Sequence, residues 1–162
     1  MLAMSGCATQ KISSPVHLAA PLSRATKVFI CVPENGKFEK ITYPNSGRQT
    51  ALALAEQASK RFSGVELSRG ALSEEEAIKA ATEAKCAYVL EAIILHWEDR
   101  ATEWSGRPDR LQIELHCVDV ASGKAVDVSS LEAQTGIFGA MGHEPQDFLP
   151  ALFADYCDRL FR

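Results

Sequence analysis

Apolar positions along this chain follow two patterns, short continuous runs and stripes at three- and four-residue spacing, and the two alternate. Lys27-Val-Phe-Ile-Cys-Val-Pro33 is a continuous apolar run closed by a proline and predicts a strand buried on both faces. Turn signals at Asn35-Gly36, Pro44-Asn45 and Ser46-Gly47 mark a long loop from Glu34 to Gly47. Gln49 to Phe62 then places Leu52, Ala55, Ala58 and Phe62 on one stripe of a helix. Gly64 to Ser68 reads as a short strand. Ser73 followed by Glu74, Glu75 and Glu76 is a capping box that starts a second helix, which runs to about Lys85 with Ala77, Ile78, Ala81 and Ala84 inward. Cys86 to Glu98 is rich in β-branched and aromatic residues and predicts a buried strand. Arg110 to Val118 alternates strictly, with Leu111, Ile113, Leu115 and Cys117 on one face and Gln112, Glu114 and His116 on the other. A turn over Asp119 to Lys124, with Gly123 free to take positive φ, returns the chain as a strand over Ala125 to Thr135. Gly136 to Glu144 is a glycine-bearing loop. Pro145 to Arg162 aligns Phe148, Leu149, Leu152, Phe153, Tyr156 and Leu160 on an amphipathic helix.

The expected order is β-α-β-α-β-β-β-α, an α/β (α+β) domain with a single mixed five-stranded sheet. Right-handed crossovers place the first strand between the second and third, and the last two extend the sheet as an antiparallel meander. The expected strand order is 2-1-3-4-5, with helices mainly on one face.

The N-terminal segment has no period of either kind. Met1 to Cys7 looks like the end of a bacterial lipoprotein signal, with the small residues Ser5 and Gly6 before a thiol that receives diacylglycerol. Residues 1–6 are then a signal-peptide remnant, Cys7 is the lipidation site, and two or three acyl chains give stable anchoring without a transmembrane helix. Residues 7–26, rich in Ser, Thr, Ala and Pro, are expected to form a flexible tether, and residues 27–162 a single periplasmic domain. Ala8 is not the Asp that holds enterobacterial lipoproteins at the inner membrane, so the expected location is the periplasmic face of the outer membrane. Net charge is −4 with both signs interleaved, which argues against a nucleic-acid partner. Cys31, Cys86, Cys117 and Cys157 are widely spaced with no CxxC. Buried thiols are favoured over a disulfide there, although connectivity stays open.

The densest chemistry lies in the stretch from His96 to Arg110, with one His, four acids, three Arg and two Trp. Trp97, Arg100, Trp104 and Arg107 are candidates for contact with a partner protein, because Trp and Arg dominate interface hot spots. A metal site drawn from His96, Glu98, Asp99 and His116 has no supporting spacing, and metal-dependent hydrolysis ranks last among the readings. Tyr43, Ser46, Arg48 and Thr50, opening the first helix, form the alternative site, for a small ligand or glycan. No GxxxxGK[ST], GxGxxG or GxSxG spacing is present, and no cofactor or catalytic residue is expected.

Cys7, Val32 to Gly36, Tyr43 to Thr50, Leu95 to Arg110 and Asp119 to Gly123 together resemble an uncharacterised family of proteobacterial lipoproteins, a domain of unknown function, over about residues 27 to 160. At the level of element order the chain is also similar to the periplasmic domains of TolB (N-terminal), CsgG, LpoB and PelC. The resemblance implies a non-enzymatic factor of envelope assembly or secretion that binds an unknown envelope protein. By analogy with CsgG and PelC, it also opens assembly into a homo-oligomer.

Overall fold

The computed structural model describes residues 9–99, 109–134 and 144–162. One six-stranded sheet carries the domain. Its strands are β1 (Thr9–Val16), β2 (Lys27–Cys31), β5 (Gly64–Leu67), β6 (Tyr88–Glu98), β7 (Arg110–Asp119) and β8 (Lys124–Gln134). A small hairpin, β3 (Lys37–Phe38) with β4 (Ile41–Thr42), interrupts the expected loop after β2. Three helices complete the fold: α1 (Ser46–Ser59), α2 (Glu74–Glu83) and α3 (Leu149–Arg159), the last preceded by a 3₁₀ turn over Pro145–Phe148.

The sheet order is β1-β8-β7-β6-β2-β5, which differs from the expectation in having six strands. The sixth comes from the segment read as a tether: Thr9 to Ile12 pair with Gln134 to Leu131, antiparallel, along the edge of β8. Local pattern misses β1 because it is polar, largely exposed, and contains Pro15. The proline sits where the register shifts between Ser13 and Val16, an edge position at which a missing N–H costs no ladder bond. A cross-chain backbone ladder holds the strand, helped by Ile12 against the core and by side-chain bonds from Ser14 Oγ to Ser129 Oγ (2.6 Å) and from Arg159 Nη2 to Ser14 Oγ (2.7 Å).

β2 lies between β5 and β6, parallel to both, and is buried on both faces because helices cover it from two sides. α1 and α3 pack on one face over Val28, Ile30, Leu90, Ile113, Leu115, Leu131 and their neighbours. α2 lies on the other, over Phe29, Cys31, Val89 and Val118. Its capping box forms as expected, Ser73 Oγ accepting from Glu76 N and Glu76 reaching back to Ser73 N. Helix α1 starts three residues earlier than its pattern suggested and is rotated from the expected phase. Ala58 and Phe62 are buried as expected, but towards the start of the helix Ala51 and Leu54 take the buried places, leaving Leu52 49% exposed and Ala55 half-buried. Gly47 explains the rotation: a Cβ there would lie 2.2 Å from the Pro33 carbonyl oxygen, so this backbone faces the sheet and sets the phase for the next two turns.

Candidate functional site

In β6, Ile94 pairs with Ile113 and His96 with Gln112, so Leu95 is an extra residue that bulges the strand. The bulge shifts side-chain parity. Leu90, Ala92 and Ile94 face the helix-covered core, and beyond the bulge Trp97 takes the core position opposite Leu111. Trp97 is 2% exposed, so the indole expected at a partner contact is part of the core. Gly36 closes over it, since a Cβ on Gly36 would stand 2.5 Å from Trp97 Cβ. The other expected contact residues, Arg100, Trp104 and Arg107, lie outside the described residues.

The bulge turns His96 and Glu98 to the opposite face of the sheet, where His96 Nε2 stands 2.8 Å from Glu98 Oε2. On the same face of β7, His116 Nε2 is 2.7 Å from Glu114 Oε1. His96 aligns with Gln112, four residues along β7 from His116, which separates the two imidazoles by about 13 Å. The metal set drawn from the sequence is therefore not assembled, and among the described residues no three His, Cys, Asp or Glu side chains stand together as a metal site. Burial, with the nearby Asp109 charge second, raises the Asp99 carboxyl above its ordinary value.

Ladder rows on this face bring together Lys11, Glu132, Gln112 and His96, then Ser13, Ser130 and Glu114 beside Ile93. α2 packs on the end of the face near the β7–β8 turn. Towards the other end Ile93 is 37% and Leu95 50% exposed. The result is a four-strand polar surface edged by two exposed aliphatic side chains.

The segment 43–50 is tied down from within. Ser46 Oγ accepts the Gly36 N–H (2.8 Å) and donates to the Tyr43 carbonyl (2.7 Å), and the Tyr43 hydroxyl meets the backbone of Asp99. Ser46 and Thr50 are fully buried, so of the four expected ligand residues Arg48 is exposed and Tyr43 half-exposed. Ser46 is not a side-chain cap: the N-cap is Asn45, at φ 67°, without a side-chain bond. The opening lies next door. A groove of about 400 Å³ beyond the end of β2 is lined by Pro33, Glu34, Leu72, Ser73, Glu91 and Ile93. Sequence reading overlooked it, although the crevice past the carboxyl ends of parallel strands is the place where α/β sheets bind ligands.

Cys31, Cys86, Cys117 and Cys157 are all buried free thiols. Burial pushes Cys31 and Cys157 up to about 12 and Cys117 further, so they act as small apolar side chains.

A family description, Domain of unknown function (DUF4823), matches residues 20–160. The chain belongs to the DUF4823 family. No curated protein matches it by sequence. Among solved structures, the DUF4823 domain is similar to PelC from Paraburkholderia phytofirmans, described as a dodecamer, at 15% identity and TM-score 0.71, over 96% of this chain and 98% of that one. It is also similar to protein XCC0632 from Xanthomonas campestris, of the DUF330 family, at 8% identity and TM-score 0.55, over 91% and 92% of the two chains. These likenesses show a PelC-like fold. Among the described residues no helix is long and apolar enough to cross a membrane.

Proposed function

We propose that this DUF4823 domain is a non-enzymatic accessory factor of the bacterial envelope, lipid-anchored through Cys7 at the periplasmic face of the outer membrane. It works by binding proteins, copies of itself included. The observation that carries this reading is the half-covered sheet: a rigid four-strand face, polar in its middle and edged by exposed Ile93 and Leu95, is suited to contact with another folded surface. The end-to-end likeness to a dodecamer subunit supports self-assembly as one form of that contact. The segment from Arg100 to Arg107 remains the proposed contact with a second envelope protein.

Light scattering on the purified full chain tests self-assembly. The expected result is an oligomer that Leu95→Arg reduces to a folded monomer, and a monomer at every concentration would refute it. Photocrosslinking from position 104 in the intact envelope tests the second contact, and a Trp104→Ala variant with unchanged captures and phenotype would remove it. The groove beside Glu34 and Glu91 favours a second reading, a module for a small apolar ligand bearing a cationic group. Titration with such amines, abolished by Glu91→Gln, would move the assignment there.

A further inference from the structure

The lipid anchor and the sheet are joined with almost no slack. β1 is in register from Thr9, paired with Gln134, and only Ala8 separates it from Cys7. Two residues of fully extended chain span at most about 7 Å. We infer that the domain does not swing on a tether: it is seated on the bilayer by the end of its sheet that holds Thr9, Gln134 and Arg110. This inference rests on the reading that Cys7 carries lipid.

The register identifies that end. Thr9 aligns with Gln134, Gln134 with Arg110, and Arg110 with Glu98, so one row of the ladder forms the rim nearest the lipid. The β7–β8 turn at Asp119–Lys124 lies about ten residues away along these strands, roughly 34 Å. The rim has the chemistry of a headgroup contact. Lys11 on β1 and Arg110 on β7 are exposed cations along this end. At the β6 side stands the β3–β4 hairpin, held there by Tyr43 on the Asp99 backbone, by Gly36 over Trp97, and by Phe38 edge-on to His96 with ring centroids 5.0 Å apart. It presents Lys37 and Lys40, both exposed, and Ile41, at 56% exposure the most exposed of the large aliphatic side chains among the described residues. An apolar side chain flanked by lysines suits the boundary between phosphates and acyl chains, where the stems lie in the apolar layer and the ammonium groups reach the phosphates. The acids of this end, Glu39, Glu98, Asp99, Asp109 and Glu132, balance its cations, so the contact rests on the short chain to Cys7 and on Ile41 between its lysines and not on a net positive field. The β1 corner and the hairpin therefore meet a phospholipid surface, and the sheet stands with its strands directed away from the membrane.

The test uses the full chain, produced behind a lipoprotein signal and reconstituted in phosphatidylethanolamine/phosphatidylglycerol vesicles that carry a nitroxide-headgroup lipid. The buried native thiols let a surface fluorophore be placed selectively, through Gln134→Cys, Ile41→Cys or Ala121→Cys in separate proteins. Quenching at positions 134 and 41 is expected to exceed that at 121 several-fold. A flexible Gly-Ser spacer inserted between Ala8 and Thr9 should bring the value at 134 down towards that at 121. Vesicle flotation of wild type and Cys7→Ser separates the two layers of the argument. Flotation that survives Cys7→Ser unchanged overturns the lipidation reading and this inference with it. Flotation that depends on Cys7, with equal quenching at all three positions or strongest quenching at 121, overturns the seated orientation alone.

Discussion

Replacing Trp97 with alanine separates a core residue from a contact residue. The side chain is 2% exposed, it pairs with Leu111 across the β6–β7 ladder, and it belongs to the cluster that joins β2, β6 and β7 to α1 and α3. Truncating a buried Phe or Trp costs about 3–5 kcal/mol, since the apolar contacts are lost and the hole closes only partly. For a chain of 162 residues that corresponds to a fall in Tm on the order of 6–20 °C. The assay is urea unfolding followed by far-UV circular dichroism, which does not depend on the missing indole, with the slope checked against wild type. Leu52→Ala, at a side chain 49% exposed on α1, is the control and should change stability by no more than about 0.5 kcal/mol. Gly36→Ala should destabilise in both backgrounds, because its new Cβ would meet Trp97 Cβ, an atom that alanine retains. A loss below about 1 kcal/mol for Trp97→Ala would refute the core assignment and restore the indole as a contact.

Three further outcomes are expected. Ser73→Ala removes the hydroxyl from a complete capping box and should cost about 1 kcal/mol, measured by the same unfolding curve, whereas no change would mean that Glu76 alone holds the helix end. Arg61 Nε bonds Asp158 Oδ1 at 2.7 Å and holds that carboxyl below its ordinary value, so the contribution is present above about pH 4 and is lost as pH falls through the lower folded value. The stability gap between wild type and Asp158→Asn should accordingly narrow in acid, and a gap that widened there would reverse the assignment. Cys31, Cys117 and Cys157 are raised by burial, which makes their contribution complete below the unfolded thiol value, about 8.5, and lost as pH rises through it towards the folded values. Native protein should resist thiol reagents at neutral pH and react fully once unfolded, while rapid native labelling at any of the three would contradict their burial.

Where a short stretch supplied its own signal, the reading of the chain and the fold agree. Ser73 to Glu76 satisfies its helix end within four residues, Gly123 takes φ 65° in the turn that joins β7 and β8, and Leu111 to Cys117 face the core by alternation alone. β1 illustrates the opposite case. Its eight residues contain one apolar side chain that reaches the core and a proline, and they become a strand only because β8 offers them a free edge more than a hundred residues later. Leu52 fails because the Gly47–Pro33 approach shifts the phase of α1, whereas Trp97, chosen by residue type, is carried into the core by the bulge at Leu95. The alternative ligand residues Ser46 and Thr50 were chosen by their position before a helix, whereas the opening is set by how β2, β6 and α2 diverge.

By itself the sequence determined the α/β alternation, the helix-start and turn chemistry and the resemblance to a lipoprotein family, because each is written in neighbouring residues or in a 2- or 3.6-residue period. Only the tertiary structure decided the polar edge strand that begins at Thr9, the face on which His96 and Trp97 fall, and the groove beyond β2. Those depend on hydrogen bonds and close approaches between segments far apart in the chain, for which no local pattern carries the information.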